Sequence, residues 1–177
     1  MTTICFAGLG AMGRPMAANL VKAGHAVRGT DVNPAALDWL RQNGGETFPT
    51  AQEAATGAEM LVLMVVNADQ AEAVLFEAGA LDALAPNAIV VLCATCAPAR
   101  AAAIGAKVEA TQRRFVDAPV SGGVVGAEAG SLTIMASAPA ATLDAAEPVL
   151  KVMGSRLFRV GEKAGDGAMV KTINQLL

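Results

Sequence analysis

Gly8, Gly10 and Gly13 stand in G-x-G-x-x-G spacing within "ICFAGLGAMGRPMAANLVKAGH" at positions 4–25. Glycines spaced this way suit the binding of a dinucleotide diphosphate. The first turns the chain tightly, the second lets backbone approach the phosphates, and the third lets a helix pack closely on the preceding strand. The backbone of Gly8, Leu9, Gly10, Ala11, Met12 and Gly13 would then surround the anion at a helix N-terminus. Asp31 follows after about 20 residues, where a carboxylate accepts hydrogen bonds from the adenosine ribose. A glycine-rich turn followed by a surface aspartate is the plainer reading. The order strand, turn, helix, strand, acid favours the dinucleotide.

A second chemical pattern is weaker. Cys93 and Cys96 form C-x-x-C in "CATC", and the chain has one further cysteine, Cys5. A structural zinc site takes four ligands, and only Cys5 and His25 remain to complete one. A redox pair usually opens a helix, whereas Cys93 closes the apolar run "AIVVLC". These cysteines read as small, partly buried residues with no redox task, and His25 as a helix-end residue.

The elements that must position these groups follow from apolar periodicity. Residues 4–7 form a short apolar run, and Met16, Ala17, Leu20 and Val21 fall at helical spacing before a C-cap at Gly24. Positions 26–30 predict a second strand, and Asn33 with Pro34 opens a helix that Gly44–Gly45 stops. The pattern then predicts a short helix in "AQEAATGA", a strand in "MLVLMVV", one long helix in "ADQAEAVLFEAGALDAL" and a strand in "AIVVLCAT". Beyond Pro98 come a helix, a single strand "RFVDAPV", a strand "SLTIMAS", a helix closing at Gly154 and a last strand "RLFRVG". Near-continuous apolar strands between amphipathic helices predict an α/β fold, a doubly wound and mostly parallel sheet covered on both faces. Ligands in such sheets sit at the carboxyl ends of strands. The residues to read are therefore Gly8–Gly13, Asp31, Asn67, Thr95 and Ser121–Gly123.

Composition limits the alternatives. The chain has 177 residues, 54% hydrophobic and 16% charged, which describes a globular chain rather than a disordered one. A net charge of −3 gives no support to a nucleic-acid surface. No apolar run reaches the length of a membrane span. The glycine turn follows the first strand at once, with no signal-peptide pattern before it, so a cytoplasmic protein is expected. The tail "GDGAMVKTINQLL" predicts a further helix with Met169, Val170, Ile173, Leu176 and Leu177 on its apolar side. Its uncapped end on two leucines suggests the front part of a longer chain.

Four blocks carry a resemblance: "GLGAMGRPMAANLVKAGH", "ATCAP", "DAPVSGGVVGAEAGSLTIM" and "GDGAMVKTINQ". In this order they resemble the 3-hydroxyacid dehydrogenase family, which includes 3-hydroxyisobutyrate dehydrogenase, over essentially the whole chain. "VLMVVNADQAEAVLF" and "VKTINQLL" look most like its L-threonate dehydrogenase branch. Leu92 and Ala94 replace polar residues of the family's second block, and Gln175 replaces an asparagine of the fourth.

The resemblance implies a Rossmann-type NAD-binding domain over 1–164. Residues 165–177 would begin an interdomain helix leading to an all-helical domain absent from this chain. It implies reversible hydride transfer between a 3-hydroxy acid and a nicotinamide. NAD is expected rather than NADP, because Asp31 stands where a 2′-phosphate would sit and is followed by Val32 rather than arginine. Lys171 is the implied acid–base group, and a solvated helix lysine is the alternative. Ser121, Gly122 and Gly123 would bind the substrate carboxylate, with Asn174 or Gln175 contacting substrate. Thr95 would hydrogen-bond near the nicotinamide or substrate. Val66 and Asn67 would line the ribose side, Asn67 serving equally well as a loop cap. A homodimer or homotetramer is implied for the whole protein, and negligible turnover for this stretch alone. A non-catalytic dinucleotide-binding module and a semialdehyde reductase of the same family are the competing functions.

Overall fold

The computed structural model describes residues 1–176, so Leu177 lies outside the described residues. Strand β1 (Thr3–Ala7) shows how the sheet is buried. Ile4 and Phe6 enter one apolar cluster, and Cys5 and Ala7 enter another on the opposite face. The same division recurs in β4 (Met60–Leu63) and β5 (Ile89–Leu92), whose residues are all buried. Strands buried on both faces need no polar alternation, which is why they read as continuous apolar runs.

Between β1 and β4 lie α1 (Gly13–Lys22), β2 (Ala26–Thr30), α2 (Pro34–Gln42), β3 (Glu46–Thr47) and α3 (Ala51–Ala55). After β4 come α4 (Ala68–Glu72), a π-helical turn (Ala73–Glu77) and α5 (Ala80–Ala83). Beyond β5 the chain forms α6 (Pro98–Glu109), β6 (Arg114–Asp117), β7 (Val120–Ser121) and α7 (Gly123–Glu128). It ends with β8 (Thr133–Ser137), α8 (Ala140–Met153), β9 (Arg156–Gly161) and α9 (Asp166–Leu176). The sheet order is β3-β2-β1-β4-β5-β6-β8-β7, with β9 paired to β8. β1 to β6 run parallel; β8 runs antiparallel to β6 and β7, and β9 parallel to β8. β6 and β8 are paired through Asp117↔Ser137.

Several elements differ from the sequence reading. The strand in "MLVLMVV" stops at Leu63, and Met64–Val66 pass over the sheet's carboxyl edge. The long helix expected after Asn67 is divided by the π-helical turn and by Gly79 in the left-handed region, at φ 70°. "RFVDAPV" is two strands, because its second part pairs with β8 instead of continuing beside β5. Two short elements were not expected, β3 and α7. Helix α9 forms as expected, but the face it buries is Gly167, Ala168 and Lys171, while Met169, Ile173 and Leu176 are exposed.

Candidate active site

The glycine turn lies between β1 and α1, and the space around each glycine differs. Gly8 has φ 93°, and a Cβ there would overlap the Met64 carbonyl oxygen. A Cβ on Gly13 would overlap the Gly8 carbonyl oxygen and come within 3.2 Å of the Phe6 ring. A Cβ on Gly10 would meet nothing within 4 Å. Two glycines thus close the turn, and the third keeps one side of it open.

Leu9 is fully buried and its N–H donates to Asp31 Oδ2 at 2.5 Å, so neither its side chain nor its amide is left for a phosphate. The other Asp31 oxygen accepts from Asn33 N at 2.8 Å. These bonds fix the carboxylate at the end of β2 while leaving it acceptor capacity, since an ionised carboxylate offers about four lone-pair sites. Met12 is the N-cap residue of α1 and packs partly against the core, and Ala11 is exposed. A cavity of about 660 Å³ opens at this edge, lined by Gly8, Gly10, Asp31, Thr50, Val66 and Val74 among others. Its walls are chiefly apolar side chains, with Asp31 at the rim, which suits an adenosine: an apolar base and a hydroxyl-bearing sugar.

Asn67 is the N-cap of α4, its Oδ1 accepting from Gln70 N at 3.0 Å. Gln70 Oε1 in turn accepts from Val66 N at 3.0 Å, a variant of the reciprocal capping box. Asn67 thus caps the loop through one oxygen, while Val66, 77% exposed, joins the cavity wall. Gln70, a cavity residue too, was missed from the sequence. The N-x-x-Q spacing was the signal for it.

The other part of the edge is made of side chains. Thr95 is exposed beyond β5, whereas Leu92 and Ala94 are buried and apolar, so neither presents a polar group there. Ser121 ends β7, and Gly122 and Gly123 turn into α7 at φ 133° and 62°. The Ser121 hydroxyl lies 3.5 Å from Asn174 Oδ1, which brings the third and fourth sequence blocks together. Lys171, three residues earlier on α9, is only 8% exposed and makes no ion pair among the described residues. Burial lowers its pKa from the usual lysine value, because the ammonium loses water without gaining a counter-charge. Gln175 is exposed on the next position. A neutral amine at this site could accept a proton.

Asp117 and Ser137 were also missed. Asp117 is fully buried at the end of β6, and an acid inside an apolar strand run was the available signal. The three thiols are free; burial pushes Cys5 and Cys93 up to about 12 and Cys96 to about 11. Among the described residues no three His, Cys, Asp or Glu side chains converge as a metal site. No helix of the described residues is long and apolar enough to cross a membrane.

A parallel sheet with a glycine turn after β1 and an acid after β2 defines a Rossmann-type dinucleotide-binding fold. Residues 3–161 match the family described as the NAD binding domain of 6-phosphogluconate dehydrogenase. The chain is 40% identical over 96% of its length to an L-threonate dehydrogenase of Cupriavidus necator, spanning 58% of that protein. It is 39% identical over its whole length to a 3-hydroxyisobutyrate dehydrogenase of Pseudomonas aeruginosa, spanning 59% of it. The solved structure of Mycobacterium tuberculosis 3-hydroxyisobutyrate dehydrogenase with L-serine superposes with a TM-score of 0.95 at 37% identity. That superposition covers 99% of this chain and 60% of the other. The chain belongs to the 3-hydroxyacid dehydrogenase family and carries its NAD-binding fold.

Proposed function

We propose that this chain is the cofactor-binding part of an NAD-dependent dehydrogenase acting on a small 3-hydroxy acid. The observation that carries the reading is the 3.5 Å approach of Ser121, at the end of β7, to Asn174 on α9, the helix that buries Lys171. A dinucleotide-binding module without catalysis needs neither a buried lysine nor a polar cluster beside it.

NAD, when bound, supplies the hydride acceptor. Gly8, Gly10 and Gly13 shape the diphosphate turn, where the amides of Gly10, Ala11 and Met12 are close at hand. Asp31 holds the ribose hydroxyls and disfavours a 2′-phosphate by charge. Ser121, with the N–H groups of Gly122 and Gly123, forms an anion site for the substrate carboxylate. Asn174 orients the substrate, with Gln175 beside it and Thr95 at the nicotinamide end. Lys171 accepts the alcohol proton as the carbon–hydrogen bond breaks, and returns it to the oxygen in the reverse direction. The names of the relatives support a substrate of the L-threonate, 3-hydroxyisobutyrate or L-serine kind.

Residues 1–164 form the NAD-binding domain in this reading, and 165–177 begin a helix leading to a second, all-helical domain. The exposed Ile173 and Leu176 support that role, since apolar side chains on one helix face are suited to burial. The whole protein would be a homodimer or homotetramer, with the second domain helping to close the site.

Turnover of a two-domain form, followed as nicotinamide reduction against L-threonate, 3-hydroxyisobutyrate and L-serine with both cofactors, tests the reading. Selective NAD reduction with one hydroxy acid is expected. Cofactor binding with no turnover on any of them would favour the non-catalytic module.

A further inference from the structure

We propose that Asp117 and Ser137 are positioning residues, which clamp the first turn of α9 and thereby set where Lys171 stands. The proposal rests on the reading of Lys171 as the acid–base group.

Asp117 closes β6 and Ser137 closes β8, and they are partners across the junction of those strands. Helix α9 begins in the notch above that junction. Asp117 Oδ2 accepts from Gly165 N at 3.0 Å and from Ala168 N at 2.8 Å. Ser137 Oγ accepts from Gly167 N at 2.9 Å. The first amides of a helix have no partner within it. Here two side chains from two strands serve three of them, at zero exposure for both.

The fit is close. A Cβ on Gly167 would come within 2.6 Å of the Met135 carbonyl oxygen and 2.8 Å of the Asp117 carbonyl oxygen. A Cβ on Gly165, at φ 101°, would come within 2.8 Å of the Pro98 carbonyl oxygen. Backbone therefore lies directly on backbone, leaving the helix start little freedom to slide. Lys171 is four residues from Gly167 and three from Ala168, so all three share the buried helix face. A shift at the clamp is carried through one rigid turn to the amine.

The carboxyl of Asp117 performs this at a cost. Its Oδ1 is buried with no hydrogen-bond partner, and burial raises its pKa, with the charge of nearby Asp166 adding to the rise. An asparagine or an apolar residue would escape the charge penalty. An apolar residue would offer the helix amides no acceptor, and an asparagine would offer them only a neutral, weaker one at the positive end of the helix dipole.

The test uses this chain in the variants S137A and D117N, with L40A as a core substitution remote from α9. Two quantities are read by NMR: exchange of the Gly165, Gly167 and Ala168 amides, and the titration midpoint of Lys171. Loss of one acceptor should speed exchange of its amide about tenfold or more. Re-solvation should raise the Lys171 midpoint by about half a pH unit or more. Loss of negative charge alone cannot raise the midpoint in D117N, so an upward movement there reports lost docking. L40A should lower Tm and leave both quantities unchanged. If S137A folds and Lys171 titrates as in the parent, or if D117N moves it downward, the proposal is overturned. S137A removes one hydroxyl only and keeps the test available should D117N not fold. The catalytic reading fails separately, if K171A in a two-domain form keeps its turnover.

Discussion

The carboxyl edge of the sheet has two halves built from different materials. From β1 to β4 the candidate site is largely backbone geometry and apolar wall: three glycines, an aspartate held by two amides and a cavity of about 660 Å³. From β5 to α9 it is side chains, namely Thr95, Ser121, Lys171 and Asn174, of which Thr95 and Asn174 are exposed. A diphosphate and a ribose are common to many reactions, and backbone can recognise them. A proton transfer and a substrate carboxylate require particular functional groups at particular distances. The first half should therefore bind cofactor by itself, whereas the second should depend on whatever orders α9.

The largest effect that would break this division is expected at Lys171. K171A in a two-domain form should lower kcat by about 100-fold or more, the usual worth of a positioned acid–base group. NAD affinity, measured by calorimetry, should stay within about twofold, because binding belongs to the other half. Loss of affinity in K171A would show that the halves are not separate.

Asp31 provides the converse experiment. Like charges at contact distance oppose each other by about 1–4 kcal/mol depending on the local dielectric. D31N should therefore shift the ratio of NADP to NAD affinity at least about tenfold toward NADP. An unchanged ratio would remove charge as the basis of the preference.

The glycines sharpen the comparison within the binding half. G13A must displace backbone, and should destabilise the chain by about 1–3 kcal/mol in urea unfolding. G10A has open space and should cost less than about 0.5 kcal/mol of stability, while weakening NAD binding by intruding on its approach. Equal destabilisation by both would mean that the Gly10 side is not open to a ligand.

The smallest expected effect concerns pH. Lys171 has a folded pKa below the ordinary 10.5. Its burial penalty is full below the folded pKa, where both states are protonated. It fades as pH rises from the folded pKa to the unfolded one, because the unfolded chain then binds more protons. K171M should therefore exceed the parent in stability most at neutral pH, with the gap narrowing in alkaline solution. A gap independent of pH would contradict the burial of a titrating amine.

The binding half was readable in the sequence because its determinants are local. Gly8, Gly10 and Gly13 lie within six consecutive residues, and Asp31 falls at the end of the next strand. Burial of both faces made the strands visible as apolar runs. The other half was harder because its determinants are tertiary. Nothing local shows that "RFVDAPV" divides at Asp117, since β8 captures the second part. Nor does periodicity show that α9 buries its lysine face and exposes Ile173 and Leu176, which contradicts the ordinary rule for an amphipathic helix. The two-residue β3 and the π-helical turn fall below the length at which a repeat can be recognised. Asn67 could be read either way, and the structure shows it capping α4 through Oδ1.

The three raised thiols have a practical consequence for spectroscopy. Burial holds all three thiols protonated more firmly than a free cysteine, with Cys96, at about 11, the least shifted of them. Maleimide chemistry needs the thiolate, and Cys5 and Cys93 are in addition fully enclosed. The parent chain should thus react slowly with a cysteine-directed dye, without removal of any native cysteine. A single cysteine placed at exposed Ser155, ahead of β9, would be the one fast-reacting position, and mass spectrometry after brief labelling should count one dye on S155C and none on the parent. The same pair of proteins would give a fluorescent reporter whose signal comes from one known place, the turn before β9.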